Sequence, residues 1–187
     1  MTAAPLLTPP DDGSPAALAL ATLYRDHVGF VWRSVRRLGV SERDLDDVCQ
    51  EVFVIVHRKL ATYDGSSSER TWLFGIARRV AADHRKRAHV RREELAAPTD
   101  FESRPSRAST EPGAHDRSRA RAVLDEILDE LDEVKRAVFV LFELEEMPMN
   151  EVALAVECPL QTAYSRLAAA RKQVDSAVRR RQLAGDV

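Results

Sequence analysis

The segment SSSERTWLFGIARRVAADHRKR, residues 66–87, combines a tryptophan, several aliphatic residues and a cluster of basic residues. Projected at about 100° per residue, its apolar side chains share one arc of a helix and its basic side chains the opposite arc. The apolar arc contains Trp72, Leu73, Ile76, Ala77, Val80 and Ala81, and the basic arc contains Arg78, Arg79, Arg85 and Lys86. This pattern predicts an amphipathic helix that begins at Arg70 or Thr71, after a loop rich in serine.

The tryptophan at the edge of the apolar arc leaves two interpretations open. Proteins hold unstacked bases on aromatic side chains beside basic grooves, so a half-buried Trp72 could carry a nucleic acid strand. The alternative is an ordinary core tryptophan with a solvated basic face.

Toward the N-terminus, SERDLDDVCQEVFVIVHRKL, residues 41–60, predicts a second amphipathic helix. Ser41, with Asp44 three residues later, is a helix-start pattern with acidic residues in the first turn. The apolar arc contains Leu45, Val48, Cys49, Val52, Phe53, Val56 and Leu60. A second arc holds Asp44, Asp47 and Glu51 with Gln50 beside them; taken alone, this is most simply a solvated face. Cys49 lies on the apolar arc, which favours a small buried hydrophobe over a ligand.

Toward the C-terminus, MPMNEVALAVECPLQTAYSRLAAARKQ, residues 147–173, predicts a short helix, a turn at Glu157–Pro159 and a longer helix from Leu160. This is the helix-turn-helix arrangement, with a plain helical hairpin as the alternative. The predicted inward arc of the second helix contains Leu160, Ala163, Leu167, Ala170 and Val174. The outward face is small and polar, as a helix in a major groove requires; it contains Gln161, Thr162, Ser165, Ala168, Ala169 and Lys172, flanked by Tyr164, Arg166 and Arg171.

The chain as a whole predicts an all-α protein of two small helical domains joined by a flexible linker. Residues 1–15 are rich in proline and predict a disordered leader, and 16–92 form the first helical domain. Residues 93–119, rich in Pro, Ser, Thr and charge, predict the linker, 120–182 the second domain and 183–187 a tail. Each domain is small enough for its own core to be only marginally stabilising.

Charge is distributed unevenly along the 187 residues, although the net charge is only −2. Residues 70–92 contain eight Lys or Arg and one acidic residue, whereas residues 123–157 contain eleven acidic residues and two basic ones. Blocks of this kind predict at least two partner surfaces of opposite charge.

Several classes of protein are excluded by what the sequence lacks. The two cysteines, Cys49 and Cys158, have no CxxC spacing and indicate a reducing cytosol. Neither a signal peptide nor a stretch of membrane-spanning length is present, so we expect a cytoplasmic protein without direct membrane insertion. The histidines form no HExxH or paired His-Asp pattern, and there is no glycine-rich phosphate loop. We therefore expect no enzyme activity, cofactor, metal or small-molecule substrate.

Taken together, these stretches resemble the extracytoplasmic-function (ECF) sigma factors, promoter-specificity subunits of bacterial RNA polymerase in the sigma-70 family. The segment LYRDHVGFVWRSVRRLG (23–39) resembles the family's opening helix, and DLDDVCQEVFVIVHRKL (44–60) its polymerase-binding helix. RTWLFGIARRVAADHRKR (70–87) resembles the segment that captures the melted downstream promoter element. LDEVKRAVFVLFELEEMPMNEVALAVECPLQTAYSRLAAAR (131–171) resembles the domain that recognises the upstream element.

The resemblance implies a role for each surface. Asp44, Asp47, Gln50 and Glu51 would bind core RNA polymerase. The residues expected on the downstream promoter element are Asp64, Ser66, Ser67, Ser68, Trp72, Arg78, Arg79, Arg85 and Lys86. Those expected on the upstream element are Gln161, Thr162, Tyr164, Ser165, Arg166, Ala168, Ala169, Arg171 and Lys172. The partners implied are core polymerase, promoter DNA and, from family precedent, an anti-sigma factor.

Three residues depart from the family pattern. Glu69 stands where an aromatic is usual, Arg79 where asparagine is frequent, and Glu157 at a turn position that is commonly glycine. The promoter sequence therefore does not transfer from relatives, and a strained turn at Glu157 is one expectation.

The linker cannot set the distance between the two promoter contacts. The elements lie about two helical turns apart, roughly 70 Å, whereas a coil of residues 96–118 averages about 25–30 Å end to end. We therefore expect core polymerase to hold the domains apart and the free chain to bind promoter DNA poorly. The alternative function is a helix-turn-helix transcription regulator that acts without being a polymerase subunit.

Overall fold

The computed structural model describes residues 15–94 and 114–184, and all regular elements in these two ranges are helical. The first range forms α1 (Pro15–Arg37), α2 (Leu45–Lys59) and α3 (Glu69–Glu94), with 3-10 turns at Glu42–Asp44 and Leu60–Thr62. The second forms α4 (Ala114–Asp129), α5 (Glu133–Phe139), α6 (Met149–Ala155) and α7 (Leu160–Ala184), with a π-helical turn at Val140–Leu144. The predicted all-α class is confirmed. Most of the predicted leader, residues 95–113 of the predicted linker and residues 185–187 lie outside the described residues.

The N-terminal half, residues 15–94, is a bundle in which α1, α2 and α3 each pack against the other two. The predicted apolar arcs of α2 and α3 form its interior. On α2, all the predicted inward residues from Leu45 to Val56 are buried, and Leu60 is half-buried. On α3, Leu73, Ala77 and Ala81 are fully enclosed, whereas Trp72 is half-buried. The hydrophobic periodicity therefore identified the faces that meet.

Helix α3 begins one residue before the predicted start because Ser68 caps it. The backbone N–H of Thr71 donates to the Ser68 hydroxyl oxygen at 3.2 Å, which satisfies one of the unpaired donors of the first turn. Helix α4 begins at Ala114, inside the predicted linker. Its first residues, AHDRSRA, include alanine and arginine, which favour helix, so a polar composition did not exclude a helix here.

The C-terminal half, residues 114–184, contains the predicted helix-turn-helix, formed by α6, a turn at residues 156–159 and α7. On α7, Ala163, Leu167 and Ala170 are buried as predicted, and Val174 is half-buried. Leu160 is exposed, so its predicted inward position is wrong. It is the first residue of α7, where side chains are less enclosed than in the middle of the helix. Glu157 has a φ of 55°, the left-handed conformation expected where glycine is common.

A π-helical turn between α5 and α6 redirects the chain. The backbone N–H of Glu145 donates to the Val140 carbonyl at 3.0 Å, and that of Met147 donates to the Leu141 carbonyl at 3.0 Å. Glu146 follows with a φ of 55°. Single π-helical turns occur frequently at functional positions because they re-aim a side chain. Here the turn directs the Glu145 side chain toward the N-terminal half.

The buried apolar residues of the two halves form one continuous cluster. Contact between the halves centres on α3 and α6. At their crossing, Gly75 has no side chain, and a Cβ there would lie 3.9 Å from the Ala155 carbonyl oxygen. The sequence predicted two helical domains, and the structure adds that their buried apolar residues meet in this one cluster.

Candidate functional site

The loop before α3 is ordered by its own polar groups. The Tyr63 hydroxyl donates to the Ser67 carbonyl at 2.6 Å, and the Ser66 N–H donates to an Asp64 carboxylate oxygen at 2.9 Å. The hydrogen bonds from Ser66 hold the pKa of Asp64 below its ordinary value. The Tyr63 ring lies against Trp72, with 4.9 Å between centroids and planes tilted by 33°. Loop and tryptophan therefore form a single preorganised aromatic edge.

The predicted basic arc of α3 is present, but three of its four cations pair with carboxylates of the C-terminal half. Arg85 lies 3.0 Å from Glu133, and Arg78 lies 3.5 Å from the same carboxylate. Arg78 also approaches Glu157 at 3.8 Å, and Arg79 donates a hydrogen bond to Glu157. Lys86 is exposed.

A second arginine cluster was not predicted. Glu145, whose side chain is only 3% exposed, accepts hydrogen bonds from Arg33, Arg37 and Arg70. Arg33 binds both carboxylate oxygens, at 3.2 and 3.1 Å, the paired geometry in which guanidinium is strongest. The Arg37 contact is 2.5 Å and the Arg70 contact 2.9 Å. Burial lowers the pKa of Arg37, although Glu145 opposes this shift.

Two features of the sequence pointed toward this cluster without locating it. Arg70 belongs to the basic block that begins at residue 70, and Glu145 to the acidic block of 123–157. Arg33 and Arg37 lie on α1, in which no charged face was recognised. The guanidinium carbon of Arg70 also lies over the Phe30 ring, 4.5 Å from its centroid. Helix α1 therefore contacts this arginine through an aromatic ring.

A third contact joins α6 to the loop–helix junction. The hydroxyls of Ser68 and Thr71 both donate to the same Glu151 carboxylate oxygen, Thr71 at 2.6 Å. These two bonds lower the pKa of Glu151 below that of an ordinary glutamate. Ser68 was predicted on the DNA surface, and here it faces the C-terminal half.

The acidic surface of α2 points away from the contact between the halves. Asp47 and Gln50 are exposed, and Glu51 pairs with Arg87 of α3 at 3.1 Å. Asp44 lies in the 3-10 turn just before α2, where it accepts from the Ser41 hydroxyl at 2.5 Å and lies 3.5 Å from His84. Partial burial raises the pKa of Asp44, but the hydrogen bonds from Ser41 and Arg43 together lower it by more. The pKa of Asp44 is therefore below its ordinary value. Three of the four predicted residues thus share α2, while Asp44 is held at its edge.

The predicted outer face of α7 is turned to solvent. Gln161, Tyr164, Ser165, Ala168 and Lys172 are exposed, and Thr162, Arg166 and Ala169 are half-buried. Arg171 pairs with Glu143 at 2.6 Å and lies 5.6 Å from the Phe142 ring centroid. This face therefore remains open while the halves are packed together.

The two charge blocks that suggested separate partners are largely each other's partners. Glu133, Glu145, Glu151 and Glu157 come from the acidic block, and they contact arginines or hydroxyls of the N-terminal half. The uneven charge distribution therefore forms a contact within the chain.

The chain matches the family model described as Sigma-70 region 2 over residues 23–91, and that described as Sigma-70, region 4 over residues 121–174. It is 31% identical over 153 residues to the ECF RNA polymerase sigma factor SigE of Mycolicibacterium smegmatis. The aligned region covers 81% of this chain and 58% of that protein. It is 29% identical over 181 residues to the RNA polymerase sigma-H factor of Pseudomonas aeruginosa, covering 89% of this chain and 88% of the relative.

Among solved structures, the sigma factor RpoE of Bartonella quintana, solved in complex with the anti-sigma factor NepR, has the same fold. The TM-score is 0.66 at 16% identity, and the match covers 86% of this chain and 97% of that one. None of the helices in the described parts of the chain is long and apolar enough to span a membrane.

Proposed function

The chain belongs to the sigma-70 family, among its extracytoplasmic-function sigma factors, and on that premise we propose that it binds core RNA polymerase, directs it to specific promoters and helps to melt them. The family models match in the order region 2 then region 4, which supports one subunit with two promoter contacts. The work of such a subunit is recognition and strand separation. It adds no catalytic step of its own, and it acts where polymerase acts, in the cytoplasm.

Docking on the polymerase is assigned to α2. Asp47 and Gln50 are exposed on one surface, with the half-buried Glu51 beside them and Asp44 at the edge. Such a surface fits a basic partner, because complementary charge speeds and orients association.

Capture of the melted downstream strand is assigned to the loop–helix surface. Trp72, backed by Tyr63, offers an aromatic face for an unstacked base, and Arg78, Arg79, Arg85 and Lys86 offer charge for the phosphates. The loop from Asp64 to Ser68 borders the tryptophan and supplies polar groups for a base displaced from the stack.

Recognition of the upstream duplex is assigned to the outer face of α7. Gln161, Thr162 and Ser165 begin this face, as in helix-turn-helix proteins whose recognition helix contacts bases with its N-terminal residues. Tyr164, Arg166, Arg171 and Lys172 flank it and can reach phosphates, and the small side chains of Ala168 and Ala169 let the helix lie deep in the groove. An anti-sigma factor, the partner seen with the Bartonella quintana protein, is a further proposed partner.

The observation that carries this proposal is that one chain presents an exposed acidic docking helix and an exposed helix-turn-helix outer face. A helix-turn-helix regulator that ignores polymerase would have no use for the docking helix. The test is capture of purified core polymerase by the immobilised chain, with and without Asp47→Lys and Glu51→Lys.

We expect the double reversal to weaken capture at least tenfold, because two favourable charge pairs become repulsive. The matched control reverses Glu126 and Asp175, two exposed acids of the C-terminal half. Equal capture by the reversed and unmodified chains would refute the assignment of α2, and capture by neither would refute the proposed function.

A further inference from the structure

We propose that Glu69 selects the base that the downstream strand places against Trp72, and that this base is guanine. The inference deepens the proposed function and rests on it, because it names the base that the loop–helix surface accepts. It is carried by the position of the carboxylate, by the histidine that holds it and by the oxygen that this histidine leaves open.

Glu69 lies at the edge of the aromatic pair formed by Tyr63 and Trp72. It is the first residue of α3, and Trp72 follows three residues later, so the two side chains share one face of the helix. The Tyr63 ring packs against Trp72 with 4.9 Å between centroids. Burial raises the pKa of the Tyr63 hydroxyl, and the negative charge of Glu69 raises it further. The carboxylate is therefore close to the rings on which a base would stack.

His27 of α1 holds the Glu69 carboxylate in place. The imidazole Nε2 lies 2.6 Å from the carboxylate oxygen Oε2, and because that oxygen only accepts, the imidazole is the donor. The histidine side chain is 17% exposed, whereas that of Glu69 is 51% exposed. Within residues 15–94 and 114–184, no group donates to the second oxygen, Oε1. Glu69 thus presents a fixed, accessible acceptor beside an aromatic surface.

The four bases differ in what they offer to a carboxylate, which has two acceptor oxygens side by side and no donor. On the Watson–Crick edge that an unstacked base exposes, guanine presents two adjacent donors, its ring N1–H and its exocyclic amine. Adenine and cytosine present one amine beside a ring nitrogen that accepts, and thymine presents one N–H between two carbonyls. Guanine therefore makes two hydrogen bonds to Glu69. Each of the other bases makes one and brings an acceptor against the second oxygen.

The simpler role of Glu69 is to stabilise the first turn of α3. An acidic residue at a helix N-terminus interacts favourably with the unpaired N–H groups there. That role needs no histidine and does not depend on the base, so it affects stability and leaves base preference unchanged. Base preference is therefore the property that distinguishes the two roles.

The test compares Glu69→Gln with Glu42→Gln in the full-length chain bound to core polymerase. Glutamine has nearly the shape of glutamate but carries one donor and one acceptor group, so it does not favour two donors over the other edges. Glu42 is exposed in the 3-10 turn before α2, and its substitution removes the same charge from the same half. Each complex, and core polymerase alone, is incubated with single-stranded oligonucleotides of random sequence, and the retained strands are sequenced.

We expect the unmodified chain to enrich a motif in which guanine is favoured about tenfold at one position, within the range for a paired hydrogen-bond contact to a base. Glu69→Gln should remove the preference at that position and keep the rest of the motif. Glu42→Gln should keep the whole motif. Circular dichroism checks that each variant is folded.

Replacing the favoured guanine with hypoxanthine, the base of inosine, tests the contact at the level of single atoms. Hypoxanthine lacks the exocyclic amine and keeps the N1–H and the carbonyl. In fluorescence anisotropy with labelled strands, the unmodified chain and Glu42→Gln, each bound to core polymerase, should bind the inosine strand about tenfold more weakly, because a hydrogen bond to a charged group is lost. The Glu69→Gln complex should bind the two strands equally.

Three results would overturn the proposal and leave the proposed function standing. They are a motif that Glu69→Gln leaves unchanged, a favoured base other than guanine at the position that it alters, and an inosine penalty that persists in Glu69→Gln. A retained pool identical to that of core polymerase alone would overturn both, because no strand would then be captured through this chain.

Discussion

Trp72 is the residue whose two possible roles were left open by the sequence. It packs against the core of the N-terminal half, yet it is only half-buried and lies beside Tyr63 at the rim of the proposed DNA surface. A core role and a strand-binding role are therefore compatible in one side chain, because Trp72 packs against the core and still leaves part of its surface exposed.

Substituting Trp72 with alanine should weaken strand capture by about 1–3 kcal/mol, the range for loss of one base–aromatic stack. Initiation from duplex promoters should fall, and a template already unpaired at the downstream element should recover part of the loss. The control is Tyr63→Phe, which keeps the ring and removes only the bond to the Ser67 carbonyl; it should cost about 1 kcal/mol of stability and leave initiation nearly unchanged. Equal defects in the two variants would argue against a stacking role.

The reactivity of the Cys49 thiol reports how completely the interior face of α2 is buried. Burial raises the pKa of its thiol to about 11, while Cys158 in the helix-turn-helix is half-buried. The thiolate is the reactive form, so at pH 8 iodoacetamide should modify Cys158 and spare Cys49 until denaturant is added. Peptide mass spectrometry measures this, and labelling of both cysteines at similar rates in the native chain would contradict it.

At the scale of elements, hydrophobic periodicity predicted the interior faces of α2, α3 and most of α7, because each helix buries a single arc. Periodicity failed at Leu160, the exposed first residue of α7, and composition failed at Ala114, where a polar segment forms a helix. The roles assigned to the individual site residues stay predictions. The contact between α3 and α6 could not be predicted, because opposite charge blocks fit a partner molecule as well as another part of the same chain.

The contact of α6 with the start of α3 should weaken in acid. The pKa of Glu151 is lowered in the folded chain by Ser68 and Thr71, with a smaller contribution from Arg70. Its contribution to stability is therefore fully present above the ordinary glutamate pKa, near 4.5, and is lost as pH falls through the lowered value.

Thermal unfolding of the unmodified chain and of Glu151→Gln between pH 7 and pH 3 measures this difference. The unmodified chain should lose more stability than the variant as pH falls below the ordinary glutamate pKa. Asp44, Asp64, Glu130 and Asp132 also have lowered pKa values and titrate in both proteins, so their effects cancel in the comparison. Parallel pH profiles would show that Glu151 makes no such contribution.

At the scale of the molecule, the proposed docking surface of α2 and the proposed duplex-reading face of α7 lie largely open to solvent while the two halves pack together. From the sequence we expect the segment between the halves to average far less than the separation of two promoter elements, and so not to supply their spacing. We therefore predict that polymerase has two tasks, which are to hold the halves apart and to align them with DNA. A net charge of −2 fits this prediction, because a chain without a broad cationic surface has low nonspecific affinity for DNA.

The central claim is that this chain makes core polymerase initiate at specific promoters. The direct measurement is transcription of fragmented genomic DNA by purified core polymerase with and without the chain, followed by sequencing of RNA 5′ ends. We predict a discrete set of new start sites that share an upstream and a downstream element. A set of start sites unchanged by the chain, at concentrations where polymerase is saturated with it, would contradict the claim.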